Sequence, residues 1–267
     1  MEIALDIRKN LNENAAYYFE KSKKAKKKLV GARNTVEQAM KRLESLEMDK
    51  EKEEYEAKER KENELKNPKP KKEWHENFRW FISSEGFLCI GGRDATTNDI
   101  LVKKHLDKED IVFHTEAPGS PFFIVKTLGK KPGDATLNEA AQATAAYSRS
   151  WRVGIGTAEV YWVNPDQISK TAAAGEHLAK GSFMVHGKRN YYNPRMEIAV
   201  GITKEGRIMG APLSAVKQHC TAYVELVQGS EKASDLAKKI QKKIKADNVE
   251  LDEIIKVIPS GGAQLKK

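Results

Sequence analysis

His114 and Glu116, two positions apart in the stretch DIVFHTEA, make an H-x-E pair, the arrangement that in zinc deaminases joins a metal ligand to a general acid/base. That chemistry also needs a downstream P-C-x-x-C, and the chain has none; its two cysteines, Cys89 and Cys220, lie far apart. His105, His114, His177, His186 and His219 lack the i, i+4 pairing or cysteine partner of a metal site, so neither a metal nor a cofactor is expected. In GSFMVHGKRNYY, residues 181–192, five residues separate Gly181 from Gly187 where a Walker A loop has four, and Arg189 stands where Ser or Thr would bind magnesium. A nucleophile elbow G-x-S-x-G is missing, and Cys89 sits in an apolar run where a thiol is inert. No catalytic residue is expected from these patterns.

What remains is a basic set interleaved with groups that stack or donate: Arg93, Lys126, Lys170, Lys188, Arg189, Asn190, Tyr191 and Tyr192. Cations projected from a rigid sheet edge suit phosphates, and tyrosines suit unpaired bases. Lys103 and Lys104, on an expected short helix, read instead as a solvated face. The chain of 267 residues carries 47 Lys and Arg against 38 Asp and Glu, a formal charge of +9 that favours polyanionic partners through counterion release. A second basic cluster lies near the N-terminus, where residues 8–34 hold nine Lys or Arg against two Glu. Lys21, Lys23, Lys24, Lys26, Lys27 and Lys28 give that segment a dense positive surface.

The elements that must position these groups fall into two parts, expected at 1–72 and 73–267. From Leu11 to Leu46, small or apolar residues recur in alternating steps of four and three, a heptad seam whose one polar member is Ser22. Beyond Met48 the register fails, and residues 35–66 carry eight basic and eleven acidic side chains. An antiparallel helical hairpin is expected, turning near 48–51, with a second arm anchored only by Tyr55, Ala57 and Leu65. Gly31, beside the seam, suggests a bend or close contact as readily as a tolerated glycine. Pro68 and Pro70 end the appendage. From Trp74 a mixed α/β pattern begins. FRWFISSEGFLCIGG reads as a hairpin, 97–106 as a helix, DIVFHTEA and PFFIVKT as strands. Thr136 and Glu139 stand at capping-box spacing before an alanine-faced helix. EVYWV, SFMVH, RMEIAVGIT and CTAYVELV read as strands, and 230–245 and 251–258 as helices. No apolar run spans a bilayer and no signal-peptide core is present; a reducing cytoplasm fits the cysteine usage.

The stretches FRWFISSEGFLCIGGRDATTND, DIVFHTEAPGSPFFIVK and WVNPDQISKTAAAGEHLAKGSFMVHGKRN together resemble the NFACT family. This family comprises the ribosome quality control proteins that include the eukaryotic nuclear export mediator factor, bacterial proteins once labelled fibronectin-binding, and archaeal homologues. The resemblance covers nearly the whole chain and looks closest to archaeal members. Residues from Leu5 resemble the start of the family's coiled-coil middle region, and those from Trp74 its C-terminal NFACT-R domain. By position, Gly92, Arg93, Asp94 and Asn98 match the family's G-R-D-A-x-x-N. His114 and Gly119 match its H-x-D-x-x-G, with Glu116 at the acidic place. Gly187, Lys188, Arg189 and Asn190 match its R-G-K-K-N, with His186 in place of the arginine. Full-length members add a domain resembling DNA glycosylases and a helix-hairpin-helix segment; the resemblance covers neither, so alanine-tail synthesis is not expected of this chain by itself.

The resemblance implies an α+β fold, a mixed-sheet NFACT-R domain with a projecting N-terminal helical hairpin. It implies a non-enzymatic, cytoplasmic RNA-binding module that docks on the large ribosomal subunit, with rRNA, tRNA and a stalk-base ribosomal protein as candidate partners and no membrane. Arg93, Lys126, Lys170, Lys188, Arg189 and Asn190 are the expected RNA contacts, and the lysines from Lys21 to Lys28 the ribosome-facing arm. The alternative is an RNA-processing enzyme with His114, Glu116 and His186 around a pocket holding Asp94 and Asn98. The seam from Leu11 to Leu46 leaves a dimerisation scaffold and the oligomeric state open.

Overall fold

A computed structural model describes residues 3–66, 72–170 and 178–266. Pro68, Pro70 and His177 lie outside them. The chain divides into two compact units, Met1–Pro70 and Lys71–Lys267.

In the first unit one helix, α1 (Leu11–Lys66), runs 56 residues without interruption. The expected hairpin is therefore not formed. Residues 44–66 are mostly Glu, Lys, Leu and Ala with neither glycine nor proline, all strong helix formers, and a returning arm would bury almost nothing. Gly31 is simply tolerated: nothing lies within 4 Å of where its Cβ would be. The start of α1 is closed by a reciprocal cap, Glu13 N donating to Asn10 Oδ1 and Asn10 N to Glu13 Oε2, each at 2.9 Å. Asn14, 6% exposed, holds residues before the helix against it, accepting from Asp6 N and donating to the carbonyls of Asp6, Lys9 and Asn10. The seam residues Leu29, Val36, Leu43 and Leu46 are exposed.

The second unit is built on two antiparallel sheets. β1 (Arg79–Ile82) and β2 (Leu88–Gly91) form the expected hairpin, Arg79 opposite Gly91. α2 (Ala95–Lys104), β3 (Ile111–Thr115) and β4 (Phe123–Lys126) follow, then α3 (Asp134–Ala146), α4 (Arg149–Val153) and β5 (Val160–Val163). A ribbon of β6 (Ile168–Ser169) with β7 (Met184–Val185) precedes β8 (Asn190–Tyr192). The second sheet uses β9 (Ile198–Thr203), β10 (Ile208–Ala211), β11 (Cys220–Glu231) and β12 (Ala263–Leu265), with α5 (Leu213–His219), α6 (Ala233–Lys243) and α7 (Leu251–Val257) between strands. The orders are β1-β2-β4-β3-β5-β8 and β10-β9-β11-β12.

Every pairing between these strands is antiparallel, so the sheets are not mixed as expected. The crossover through α2 brings β3 back running in the same direction as β2, but β4 lies between them and pairs antiparallel with both. Both faces of the first sheet are covered, which explains its nearly continuous apolar runs. Phe113, Phe123, Val125 and Cys89 join α3 and the second sheet in the main core, while Val112, Ile124 and Ile90 face Leu101 of α2 in a smaller one. Phe113 and Phe123 are fully buried; each such side chain contributes about 1.5–3 kcal/mol.

Thr136 and Glu139 do not form a capping box, because the N-cap of α3 is Gly133, three residues before Thr136. Glu85 of the first hairpin caps it from outside, accepting from Gly133 N, Thr136 N and Thr136 Oγ1. Glu139 is freed to tie Ser84 N and Ser214 Oγ together.

Candidate nucleic-acid interface

One end of the first sheet opens into a cleft of about 610 Å³. Chain leaving β2 supplies Gly92, Arg93 and Asp94; the loop from β3 to β4 supplies Glu116, Gly119 and Phe122; the segment around β7 supplies Lys180 to Val185; and Arg189 enters just before β8. His114, Tyr161 and Arg79 complete the wall.

Local rules place these groups. Asp94 is the N-cap of α2, accepting from Thr97 N at 2.8 Å, while Arg93 N and Asp94 N donate to Thr97 Oγ1. That bonding holds the Asp94 carboxyl below its usual pKa. Asn98, one turn into α2, is buried and accepts from Phe122 N at 3.2 Å, pinning the β4 entrance to the β2 exit. A Cβ on Gly92 would lie 1.9 Å from Asn98 Oδ1, so only glycine permits this approach. Gly181 has φ +79°, and a Cβ there would meet the Ala95 carbonyl at 2.5 Å, bringing the β7 segment onto the start of α2.

The charge is uneven. Arg79 sends Nη1 to Gly92 O at 2.8 Å and lies 4.6 Å over the Tyr147 ring, but its Nε is buried without a partner. Burial lowers its pKa, Tyr147 and Asp94 oppose that shift, and Arg93 adds to it. Arg189 stacks 4.7 Å over Tyr161, and both Glu116 oxygens lie 2.6 Å from its Nη1. The Glu116 bond raises the Arg189 pKa, and burial pushes the Tyr161 hydroxyl up to about 12. His114 Nδ1 donates to Thr115 O at 2.7 Å, its ring packs 4.4 Å from Phe122, and burial lowers its pKa, so it stands neutral at pH 7.

The structure thus brings together Arg93, Asp94, Asn98, His114, Glu116 and Arg189, but not all of the expected residues. His186 is exposed and outside the cleft; its turn, with Gly187 at φ +76°, is held by Gln167 Nε2 donating to the carbonyls of His186 and Lys188. Lys188 projects from that turn into solvent and Asn190 lies in β8 opposite Trp162. Lys170 is bonded to Asp99 and sits 4.9 Å over Phe183. Asp99, shared with Lys103, is held down at about 2 by hydrogen bonds to these two lysines. Lys126 must be withdrawn as an RNA contact. It is 8% exposed and saturated by His105 O, Asp107 and Asp110, because its strand position faces inward at the β3 entrance. Lys21, Lys23, Lys24, Lys26, Lys27 and Lys28 are all exposed on α1. Arg79, Lys180 and Tyr161 escape sequence reasoning. Arg79 lies inside an apolar strand run, and Lys180 carries no local signal beyond the glycine after it.

No group of three or more His, Cys, Asp or Glu among the described residues is placed to hold a metal. No helix there is long and apolar enough to cross a membrane.

Residues 77–187 match the family described as NFACT protein RNA binding domain. The chain is 38% identical over 206 residues to the archaeal Rqc2 homolog of Methanocaldococcus jannaschii, an alignment covering 76% of this chain and 31% of that one. It is 43% identical over 122 residues to the human ribosome quality control complex subunit NEMF, covering 45% and 11%. It therefore spans less than a third of the length of these relatives. The solved C-terminal part of the fibronectin/fibrinogen-binding protein from Streptococcus suis is similar at a TM-score of 0.38, with 18% identity and 44% of each chain covered, too slight a likeness to argue from.

Proposed function

We propose that this chain, which belongs to the NFACT family in its archaeal form, is the RNA-binding part of a ribosome quality control factor, and that it docks on the large ribosomal subunit. The carrying observation is the convergence of Arg79, Arg93, Lys180 and Arg189 on one cleft whose wall falls mostly within the RNA-binding domain match, with Arg189 just past its end and Lys188 on a turn beside β8. Its carboxylates are engaged: Asp94 caps α2 and Glu116 holds Arg189. Positive charge without free acid is what a phosphate backbone requires. Arg93, Lys180, Lys188 and Asn190 contact RNA in this reading, and the lysines from Lys21 to Lys28 give the helical arm a separate rRNA-facing surface. tRNA and a stalk-base protein are further partners it allows, in a cytoplasmic setting.

Convergence of His114 and Glu116 on the cleft favours the enzyme alternative on one count only. With Glu116 bound to Arg189 and His186 outside, the His114, Glu116 and His186 set that this alternative needs is not assembled, and binding accounts for the site.

Co-sedimentation with purified large and small ribosomal subunits across a salt series tests the reading. Retention by large subunits, weakening as salt rises, is expected; equal retention by both subunits, or none, would overturn it.

A further inference from the structure

The cleft holds a cation that its own fold leaves unmatched. Arg79 is anchored at Nη1 and against Tyr147, yet its buried Nε finds no acceptor, and the nearby carboxylate, Asp94, is committed to Thr97 N. A guanidinium withdrawn from water without its full set of acceptors is costly. Arg93 and Lys180, also in the wall, pair with no carboxylate among the described residues. This end of the cleft is complementary to a phosphate.

The other side differs. Glu116 already satisfies the charge of Arg189 and holds its guanidinium over the Tyr161 ring, 4.7 Å from the ring centre, with 29% of the side chain still exposed. A planar group fixed in this way presents a face for stacking rather than a free charge. Phe122, Phe183 and neutral His114 add apolar wall nearby. At about 610 Å³ the space is that of a small-ligand site. A double helix, read across its grooves, does not enter such a space.

We propose that the cleft receives one unpaired nucleotide of a single-stranded RNA, with Arg79 and Arg93 taking its phosphate and the Arg189 guanidinium stacking on its base. This rests on the RNA-binding reading above and names the unit that the site accepts.

The test uses the full chain, titrated calorimetrically with adenosine 5′-monophosphate, uridine 5′-monophosphate and inorganic phosphate, alongside displacement of a labelled single-stranded RNA by each. The monophosphates bind and displace the RNA, and inorganic phosphate binds more weakly. Arg79→Met weakens the monophosphates by about ten- to a hundredfold, as expected for losing a hydrogen-bonded charge partner. Arg189→Met weakens the monophosphates and leaves inorganic phosphate unchanged; should Arg79→Met fail to fold, this variant and the displacement on the unaltered chain decide. Monophosphates that do not bind, or that bind without displacing RNA or without sensitivity to these substitutions, overturn the inference while RNA and subunit binding keep the broader reading intact. Monophosphate binding with this sensitivity, but no binding of RNA or subunits, supports the site and overturns the strand as its source.

Discussion

Both carboxylate oxygens of Glu116 lie 2.6 Å from Nη1 of Arg189. An ion pair so close, partly sheltered and stacked on Tyr161, takes Arg189 out of the set of free cations. Glu116→Gln should release it. Single-stranded RNA then binds with a salt dependence steeper by about one unit of slope, since one more phosphate is neutralised. Fluorescence anisotropy across a salt series measures this; an unchanged slope would mean that Arg189 does not reach RNA even when free.

Gly92 and Asn98 form the second linked pair. Gly92→Ala forces a methyl group against Asn98 Oδ1 and close to the Asn98 backbone nitrogen. The side chain must leave Phe122 N, and overpacking of this kind costs about 1–3 kcal/mol. Asn98→Ala leaves the buried Phe122 N–H unpaired at a cost of about 1–3 kcal/mol. Chemical denaturation quantifies both, and loss of RNA affinity should accompany them because Asn98 joins two walls of the cleft. Wild-type stability in either variant would refute the clamp.

Lys126 separates structural from binding cations. Its ammonium group is buried against Asp110, itself 2% exposed. Breaking such a pair from one side costs about 3–5 kcal/mol. Lys126→Ala is expected to lower the unfolding midpoint in urea strongly. Under folding conditions the salt slope for RNA should stay that of the wild type; a flatter slope would restore Lys126 to the interface.

These contrasts show what the sequence carries. The hairpin around Gly86 and the strands at Ile111 and Phe123 are legible because turn residues and apolar runs are local signals; of the expected pocket, Arg93, Asp94, Asn98, His114 and Glu116 line the cleft, whereas Arg189 stands there and the expected His186 does not. Lys126 misleads because only three-dimensional packing shows that a lysine ending an apolar strand turns inward to Asp110. The turn at 48–51 fails because loss of heptad register does not by itself break a helix made of good helix formers. The Thr136 and Glu139 pattern is satisfied by partners distant in sequence, Glu85 and Ser214, which no spacing reveals. Strands β10 and β12 and helix α5 go unseen because their short segments acquire identity only by pairing and packing in the second sheet.

Glu85 gives a pH prediction. Its hydrogen bonds to Thr136 lead in holding the carboxyl below the usual value of 4.5. The folded pKa is lower than the unfolded one, so ionised Glu85 stabilises the fold above about pH 4.5. The contribution declines as pH falls below that value and is gone below the depressed folded pKa. Glu85→Gln should be less stable than wild type at neutral pH and should lose less stability than wild type on acidification, measured by thermal unfolding from pH 7 downward. A parallel acid limb in the two proteins would show that the cap does not act through its charge.

The most direct measurement is the dependence of large-subunit affinity on salt for wild type and for the double variant Lys180→Glu, Lys188→Glu. Both lysines are exposed, so the fold should survive. If the cleft and the adjoining turn face RNA, log affinity falls with log salt in the wild type, and the double variant binds more weakly with a slope shallower by about two units. Identical affinities and slopes would contradict the account.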